Sequence, residues 1–285
     1  MGQRLRERLA TKRLLVAPGV FDLVSTRLAS AQGFDALYMT GYGVVASHLG
    51  LPDVGLASST DMAGRVSAIA SMASAPLIAD GDTGYGGLLN VRHTVESYEA
   101  AGAAAIQLED QEFPKKCGHA LGRRVIDTDA MIRRVEVAVE ARRDPDFLII
   151  ARTDARTTLG LDEALRRGEA YIKAGADILF IESPESEDEL ARIGRSFDVP
   201  LVANMVEGGR TPVLSRALLE ELGFRIAIYP VAGLFAAAAA LRDTYRYLQD
   251  TGSTKGFGRE LFAFADFNAL MGWAEIADFD RRHPE

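Results

Sequence analysis

Short apolar runs recur along the chain, each closed by glycine, proline or a polar residue, and apolar positions at helical spacing fill the intervals. The runs are Leu14-Leu15-Val16-Ala17, Ala36-Leu37-Tyr38-Met39, Pro76-Leu77-Ile78-Ala79 and Ala105-Ile106-Gln107-Leu108 in the first half. The second half has Phe147-Leu148-Ile149-Ile150-Ala151, Ile178-Leu179-Phe180-Ile181, Pro200-Leu201-Val202-Ala203 and Arg225-Ile226-Ala227-Ile228. Helices are predicted over 22–32, 59–74, 91–101, 129–143, 161–174, from 186, over 214–222, and along the alanine-rich stretch after Pro230. Residues 40–58 read as a polar, glycine-containing loop through Asp53. Continuous apolar strands separated by helices indicate a parallel sheet covered on both faces. Eight such repeats in a chain of 285 residues predict a closed (β/α)8 barrel of the α/β class, since this barrel commonly takes ~250 residues.

No linker interrupts the rhythm, so one barrel domain, 1–285, is expected, with a helical tail from about 254. That tail carries Leu261, Phe262, Phe264, Phe267, Leu270, Met271 and Trp273, more apolar surface than a free tail shows to water. Two arrangements would cover it: packing on its own barrel, or exchange with a neighbouring subunit.

Charge and cysteine content narrow the function. A net charge of −8 disfavours general attraction to nucleic acid or to an anionic membrane. One cysteine excludes an internal disulfide framework and a multi-thiol zinc site. The first twelve residues are charged and lack a signal-peptide core, and Ala236 to Ala240 is too short to span a bilayer, so a cytoplasmic protein is expected. No G-x-G-x-x-G follows the first strand, which disfavours dinucleotide binding.

Tyr38, Asp80, Glu109, Arg152, Glu182, Asn204 and Tyr229 stand at or beyond the ends of predicted strands. In this barrel those ends share the rim on which active sites are built. Asp80 and Asp82 lie two apart, so continued extended backbone would turn both carboxylates to one side. With Glu109 they make an oxygen-only donor set suited to Mg2+ or Mn2+; helix capping, or pairing with Arg123, Arg124 or Arg152, is the alternative use. Arg152 offers a planar fork for a carboxylate or a developing oxyanion.

The stretch Lys115-Lys116-Cys117-Gly118-His119 hangs from the end of the fourth predicted strand. Nearby positive charge favours a thiolate at Cys117, and Gly118 admits close approach of a ligand to the backbone. An inert cysteine beside a solvated basic patch is the alternative. Cys117, Arg152, Tyr38 and Lys115 are the candidate catalytic residues.

Taken together, Leu51-Pro52-Asp53, Ala79-Asp80-Gly81-Asp82-Thr83-Gly84-Tyr85-Gly86, Gln107-Leu108-Glu109-Asp110-Gln111, Lys115-Lys116-Cys117-Gly118-His119, Ala151-Arg152-Thr153-Asp154 and Ala203-Asn204 resemble the isocitrate lyase/phosphoenolpyruvate mutase superfamily. The resemblance implies Mg2+ dependence, an α-oxo acid bound at the metal and a homotetramer with exchanged C-terminal helices. Carried over, Asp80 is the direct metal ligand, and Asp53, Asp82 and Glu109 hold metal-bound waters. Tyr38, Thr40, Gly41 and Arg152 bind the oxo acid. Cys117 stands where members that cleave carbon–carbon bonds place the acid that protonates the departing carbanion, and Gly118, His119 and Asn204 hold its carboxylate. Glu182 falls at a further active-site position.

Methylisocitrate lyases of this family carry an arginine after the final Tyr-Pro and a Thr-Glu-Phe-Gly loop after the Ala-Asn. Here 231–236 has no arginine, and Asn204-Met205-Val206-Glu207-Gly208-Gly209-Arg210-Thr211-Pro212 resembles the 2,3-dimethylmalate lyase and petal death protein branch instead. Lysis of a 2-substituted malate is the implied activity; methylisocitrate lysis and phosphonomutase chemistry are the alternatives.

Overall fold

The computed structural model describes residues 1–284. Its strands are β1 (Leu15–Val20), β2 (Leu37–Met39), β3 (Leu77–Asp80), β4 (Ala105–Glu109), β5 (Leu148–Thr153), β6 (Ile178–Ile181), β7 (Leu201–Asn204) and β8 (Ile226–Tyr229). They pair in sequence order, all parallel, and β8 closes on β1 with Leu15 opposite Ile226. The expected (β/α)8 barrel is the fold.

Side chains of alternating strand positions fill the interior: Leu15, Ala17, Tyr38, Ile78, Ala105, Leu148, Ile150, Ile178, Phe180, Val202, Ile226 and Ile228. Helix Gly2–Ala10 adds Leu5 and Leu9 to this cluster, so the charged N-terminal stretch is amphipathic and buries its apolar side there. The complementary strand positions face outward into the helical layer, as Leu37, Leu77, Ile106 and Ile149 do against Val66, Val95, Tyr98 and Val135.

Polar punctuation sets the helix starts. Asp22 caps Leu23–Ala31, Ser58 forms a capping box with Asp61 on Ser59–Met72, Ser186 caps Glu187–Ser196 and Ser215 caps Arg216–Glu221; each such cap contributes ~1 kcal/mol. The expected loop after β2 is instead a helix, Gly41–Leu49. Thr40 accepts from the Gly43 N–H at its start, and Gly50 ends it at φ +65°. The glycines at 41 and 43 lower intrinsic helix propensity, and this capping together with the burial of Val44 and Val45 overrides it.

The chain divides into two compact units, Met1–Leu234 and Phe235–Glu285. The second holds most of helix Ala232–Thr251 and the helices Phe264–Leu270 and Trp273–Arg282. Within it Tyr247 donates to the Lys255 carbonyl at 2.7 Å, and Arg259 pairs with Asp243 at 2.6 Å. Most of its aromatic residues are exposed, Phe264 by 83% and Trp273 by 63%. Among the described residues, no helix is long and apolar enough to cross a membrane.

Candidate active site

At the C-terminal rim the acidic residues converge. Asp53, Asp80, Asp82 and Glu109 are all buried, and Lys115 reaches in from the loop after β4. Its Nζ lies 2.5 Å from Asp53 Oδ1 and 2.6 Å from Asp82 Oδ1. Asp82 joins the group by a route the sequence reading did not foresee. The extended backbone stops at Asp80, and Asp82 turns at φ +47° with its N–H donating to Asp80 Oδ1 at 3.1 Å. Left-handed backbone at a residue with a side chain costs ~1–3 kcal/mol and clusters at functional sites. Tyr38 lies mid-strand rather than at a strand end, and its hydroxyl donates to Gln107 Oε1, whose amide in turn reaches Asp80 Oδ1 at 3.4 Å.

Burial and crowding leave this cluster short of positive charge. Burial, with Asp82 beside it, pushes Asp80 up to about 6. Burial likewise raises Glu109 well above the carboxylate range, and raises Asp53 because it and Asp82 outweigh Lys115. For Lys115 burial pulls the other way, but Asp82, Asp53 and Glu109 together hold the ammonium well above its ordinary value.

The donor set fits a hard divalent cation. All four donors are carboxylates, Glu109 Oε1 is buried without a hydrogen bond, and the backbone of Gly41 crowds Asp80 so closely that a β-carbon would fall 2.6 Å from Oδ2. Among the described residues no three His, Cys, Asp or Glu side chains are arranged to enclose an ion by themselves.

Arg152, at the end of β5, does not present a free fork. Its Nε and Nη2 donate to Asp154 Oδ2 and Oδ1, both at 2.9 Å. Nε also lies 3.5 Å from Glu109 Oε2 and Nη2 3.4 Å from Glu182 Oε2, with the guanidinium over the Phe180 ring. The bidentate edge is therefore spent inside the protein, and among the described residues Nη1 makes no hydrogen bond.

The loop 111–124 lies closed over the rim. A bridge between Gln111 and Val125 zips its base, and Glu112 donates to the Arg124 carbonyl at 2.8 Å. Gly118 rests against Arg152 and Glu182, where a β-carbon would fall 2.8 Å from Glu182 Oε2, and its carbonyl accepts from Ser183 Oγ at 2.9 Å. Cys117 is half-buried, and burial pushes its thiol up despite Arg152 nearby. The expected thiolate is not favoured, because burial outweighs the neighbouring positive charge, and the Lys115 ammonium is paired with Asp53 and Asp82.

His119 accepts the Arg210 backbone N–H on Nδ1 at 3.1 Å, so in the neutral ring Nε2 carries the hydrogen. Nε2 lies 3.6 Å from Glu182 Oε1, while Asn204 Nδ2 donates to Glu182 Oε2 at 3.0 Å. Burial lowers the His119 pKa against the pull of Glu182. Thr40 spends its hydroxyl on the Gly43 N–H at 3.3 Å and sits beside Gly41 at the helix start.

Several residues around the site were not singled out from the sequence. Asp110, fully buried, accepts from Thr153, the Asp154 N–H, Arg167 and Tyr171 and ties β4 to β5. Ser183 holds φ +58° and latches Gly118. Asp154 forms an ion pair with Arg123, which the sequence offers as a partner for Asp80, Asp82 or Glu109 instead. Asp110, Asp154 and Ser183 each follow a predicted strand-end polar residue, but spacing alone does not separate such a residue from ordinary punctuation.

A closed parallel barrel whose strand ends gather four carboxylates, an arginine and a loop-borne thiol defines an enzyme of the TIM-barrel class. The family model described as phosphoenolpyruvate phosphomutase matches residues 5–249. The chain is 50% identical over 280 residues to 2,3-dimethylmalate lyase of Eubacterium barkeri, covering 98% of this chain and 97% of that one. A crystal structure of a 2,3-dimethylmalate lyase superposes with TM-score 0.93 at 39% identity, covering 99% and 95% of the two chains. Oxaloacetate acetylhydrolase in complex with 3,3-difluorooxalacetate gives TM-score 0.92 at 38% identity, covering 98% and 96%. The chain belongs to the phosphoenolpyruvate mutase/isocitrate lyase superfamily, and it is an enzyme of that carbon–carbon lyase type.

Proposed function

We propose that this protein is a Mg2+-dependent lyase that cleaves a 2-substituted malate, such as 2,3-dimethylmalate, into an α-oxo acid and a simple carboxylate. The observation that carries the reading is the placement of Gly118 directly on Arg152 and Glu182, which sets the cysteine-bearing loop over the acidic rim. The 50% identity to a 2,3-dimethylmalate lyase over nearly both full lengths supports the choice of substrate class.

Asp80 would hold the ion, with Asp53, Asp82 and Glu109 as the surrounding oxygen donors. When bound, Mg2+ supplies electrophilic stabilisation for negative charge on the oxo acid. Arg152, Tyr38, Thr40 and Gly41 orient that half of the substrate. As the 2-hydroxyl gives up its proton to a carboxylate of the acidic rim and becomes the oxo group, the carbon–carbon bond breaks and its electron pair stays on the carbon next to the second carboxylate. Cys117 delivers its proton to that carbon, and burial, by keeping the thiol protonated, suits it to act as the acid. His119, through its Nε2 hydrogen, together with Gly118 and Asn204, binds the second carboxylate, and Glu182 orients His119 and Asn204. Lys115 neutralises Asp53 and Asp82 and so holds the loop down. The exposed aromatic residues of the C-terminal unit support a homotetramer in which these helices pack on neighbouring subunits.

The test is incubation with Mg2+ and, separately, 2,3-dimethylmalate, 2-methylisocitrate, oxaloacetate and phosphonopyruvate. Pyruvate and propionate from 2,3-dimethylmalate, with slower or no turnover of the others, is the expected result. No cleavage of any 2-substituted malate overturns the proposal.

A further inference from the structure

Asp154 is shared by two guanidinium groups from different parts of the chain. Arg152, on β5, donates to both of its oxygens, and Arg123, on the loop 111–124, donates to Oδ1 through Nη1. Arg123 is only 1% exposed although it belongs to a loop whose neighbours Leu121 and Gly122 face solvent. Gly122 turns the chain at φ +71° immediately before it. The remaining guanidinium branch donates to Thr157 Oγ1 at 2.5 Å and to Ser183 Oγ at 3.4 Å. Its Nε is buried without a partner. A buried, unpaired N–H opposes the seating, as expected of a contact that must also release.

We propose that Arg123 is a positioning residue for Arg152, coupling loop closure to the charge that Arg152 offers an anionic substrate. With the loop away, the Asp154 carboxylate pairs with Arg152 alone, beside Glu109 and Glu182. Once the loop is down, one carboxylate serves two guanidinium groups, and a second positive charge stands beside Arg152 among Asp154, Glu109 and Glu182. The movement that brings Cys117 and Gly118 over the rim thus also readies Arg152. A lysine cannot reproduce this, because its single ammonium cannot hold Asp154 and Thr157 in the fixed directions of the guanidinium fork. The inference rests on the proposal that this site takes a small oxo acid or dicarboxylate.

The experiment uses the full chain in Mg2+, with pyruvate as the probe, and the variants Arg123→Met, Arg123→Lys and Thr157→Val. Pyruvate affinity is read by calorimetry, loop protection by amide hydrogen exchange across 111–124, and kcat and KM on 2,3-dimethylmalate. Arg123→Met is expected to weaken pyruvate binding about tenfold or more, to speed loop exchange while strand amides stay protected, and to raise KM as well as lower kcat. Arg123→Lys recovers part of the affinity but not the loop protection. Thr157→Val, at a half-buried site, speeds loop exchange by a smaller factor. Unchanged pyruvate affinity and loop exchange in Arg123→Met overturns the inference. If that variant loses protection throughout the barrel, wild-type behaviour of both other variants overturns it. Pyruvate binding and exchange remain informative if no malate is turned over, so failure of the substrate assignment is read separately.

Discussion

Lys115 Nζ lies 2.6 Å from Asp82 Oδ1, and a residue of the loop after β4 is thereby sealed beneath a turn that follows β3. The lysine is 3% exposed and shares its ammonium with Asp53. It is the cation that pairs with Asp53 and Asp82, where burial pushes up the pKa of Asp53, Asp80 and Glu109.

Removing that ammonium should therefore be costly. Breaking a buried ion pair from one side destabilises by ~3–5 kcal/mol, because the partner charges stay behind. Lys115→Met is expected to lower the urea midpoint accordingly in the presence of EDTA, with part of the loss restored by Mg2+. An unchanged midpoint in EDTA would show that the Lys115 pairing does not stabilise the fold.

Asp80 gives a pH signature in the metal-free protein. Its folded pKa of about 6 lies above the ordinary 3.8, so the folded state binds protons more tightly and loses stability as pH rises from about 4 to 6. The full penalty, about 3 kcal/mol, is present above pH 6 and absent below about 4. Asp80→Asn should raise the melting temperature in EDTA at pH 7 but not at pH 4, and should abolish Mg2+ binding. Equal effects at both pH values would remove the electrostatic explanation.

Cys117 separates chemistry from binding. Cys117→Ser and Cys117→Ala should lose turnover by ~100-fold or more, in the range of a removed general acid, while calorimetry finds Mg2+ and pyruvate binding nearly intact. Because burial raises the thiol pKa, iodoacetamide should alkylate Cys117 more slowly than free cysteine at pH 8. An active Cys117→Ala enzyme would remove the acid role.

Gly118 is a steric requirement of closure. A β-carbon there would meet Arg152 and fall 2.8 Å from Glu182 Oε2. Gly118→Ala should leave the barrel's melting temperature within ~1 °C, since the strain is released by lifting the loop. Trypsin should then cut the loop at Lys115, Lys116, Arg123 or Arg124 faster than in wild type, and kcat/KM should fall at least ~100-fold. Unaltered proteolysis with full activity would show that the loop closes elsewhere.

The barrel was legible in the chain because its signal is local. A strand buried on both faces must be apolar at every position, and β3 to β7 are, apart from the polar residues that end them and Gln107 and Arg152 at the rim. The same logic exposed Asp80, Glu109, Glu182 and Asn204, because a polar residue where an apolar run stops has to be at an end. Helix Gly41–Leu49 escaped it, since its two glycines argue against a helix and the burial of Val44 and Val45 comes from tertiary packing.

Which groups neutralise which charges was decided only in three dimensions. Nothing in the spacing of Lys115, Lys116 and Cys117 tells that one ammonium pairs with Asp53 and Asp82, or that burial leaves the thiol with its proton. The sequence placed Arg152 at the rim, but its fork is taken by Asp154, two residues on, and that carboxylate also receives Arg123 from a loop thirty-one positions before it. Strand and helix periodicity is written between neighbours in the chain. Charge pairing depends on distances between residues far apart in it, and those exist only once the barrel has closed.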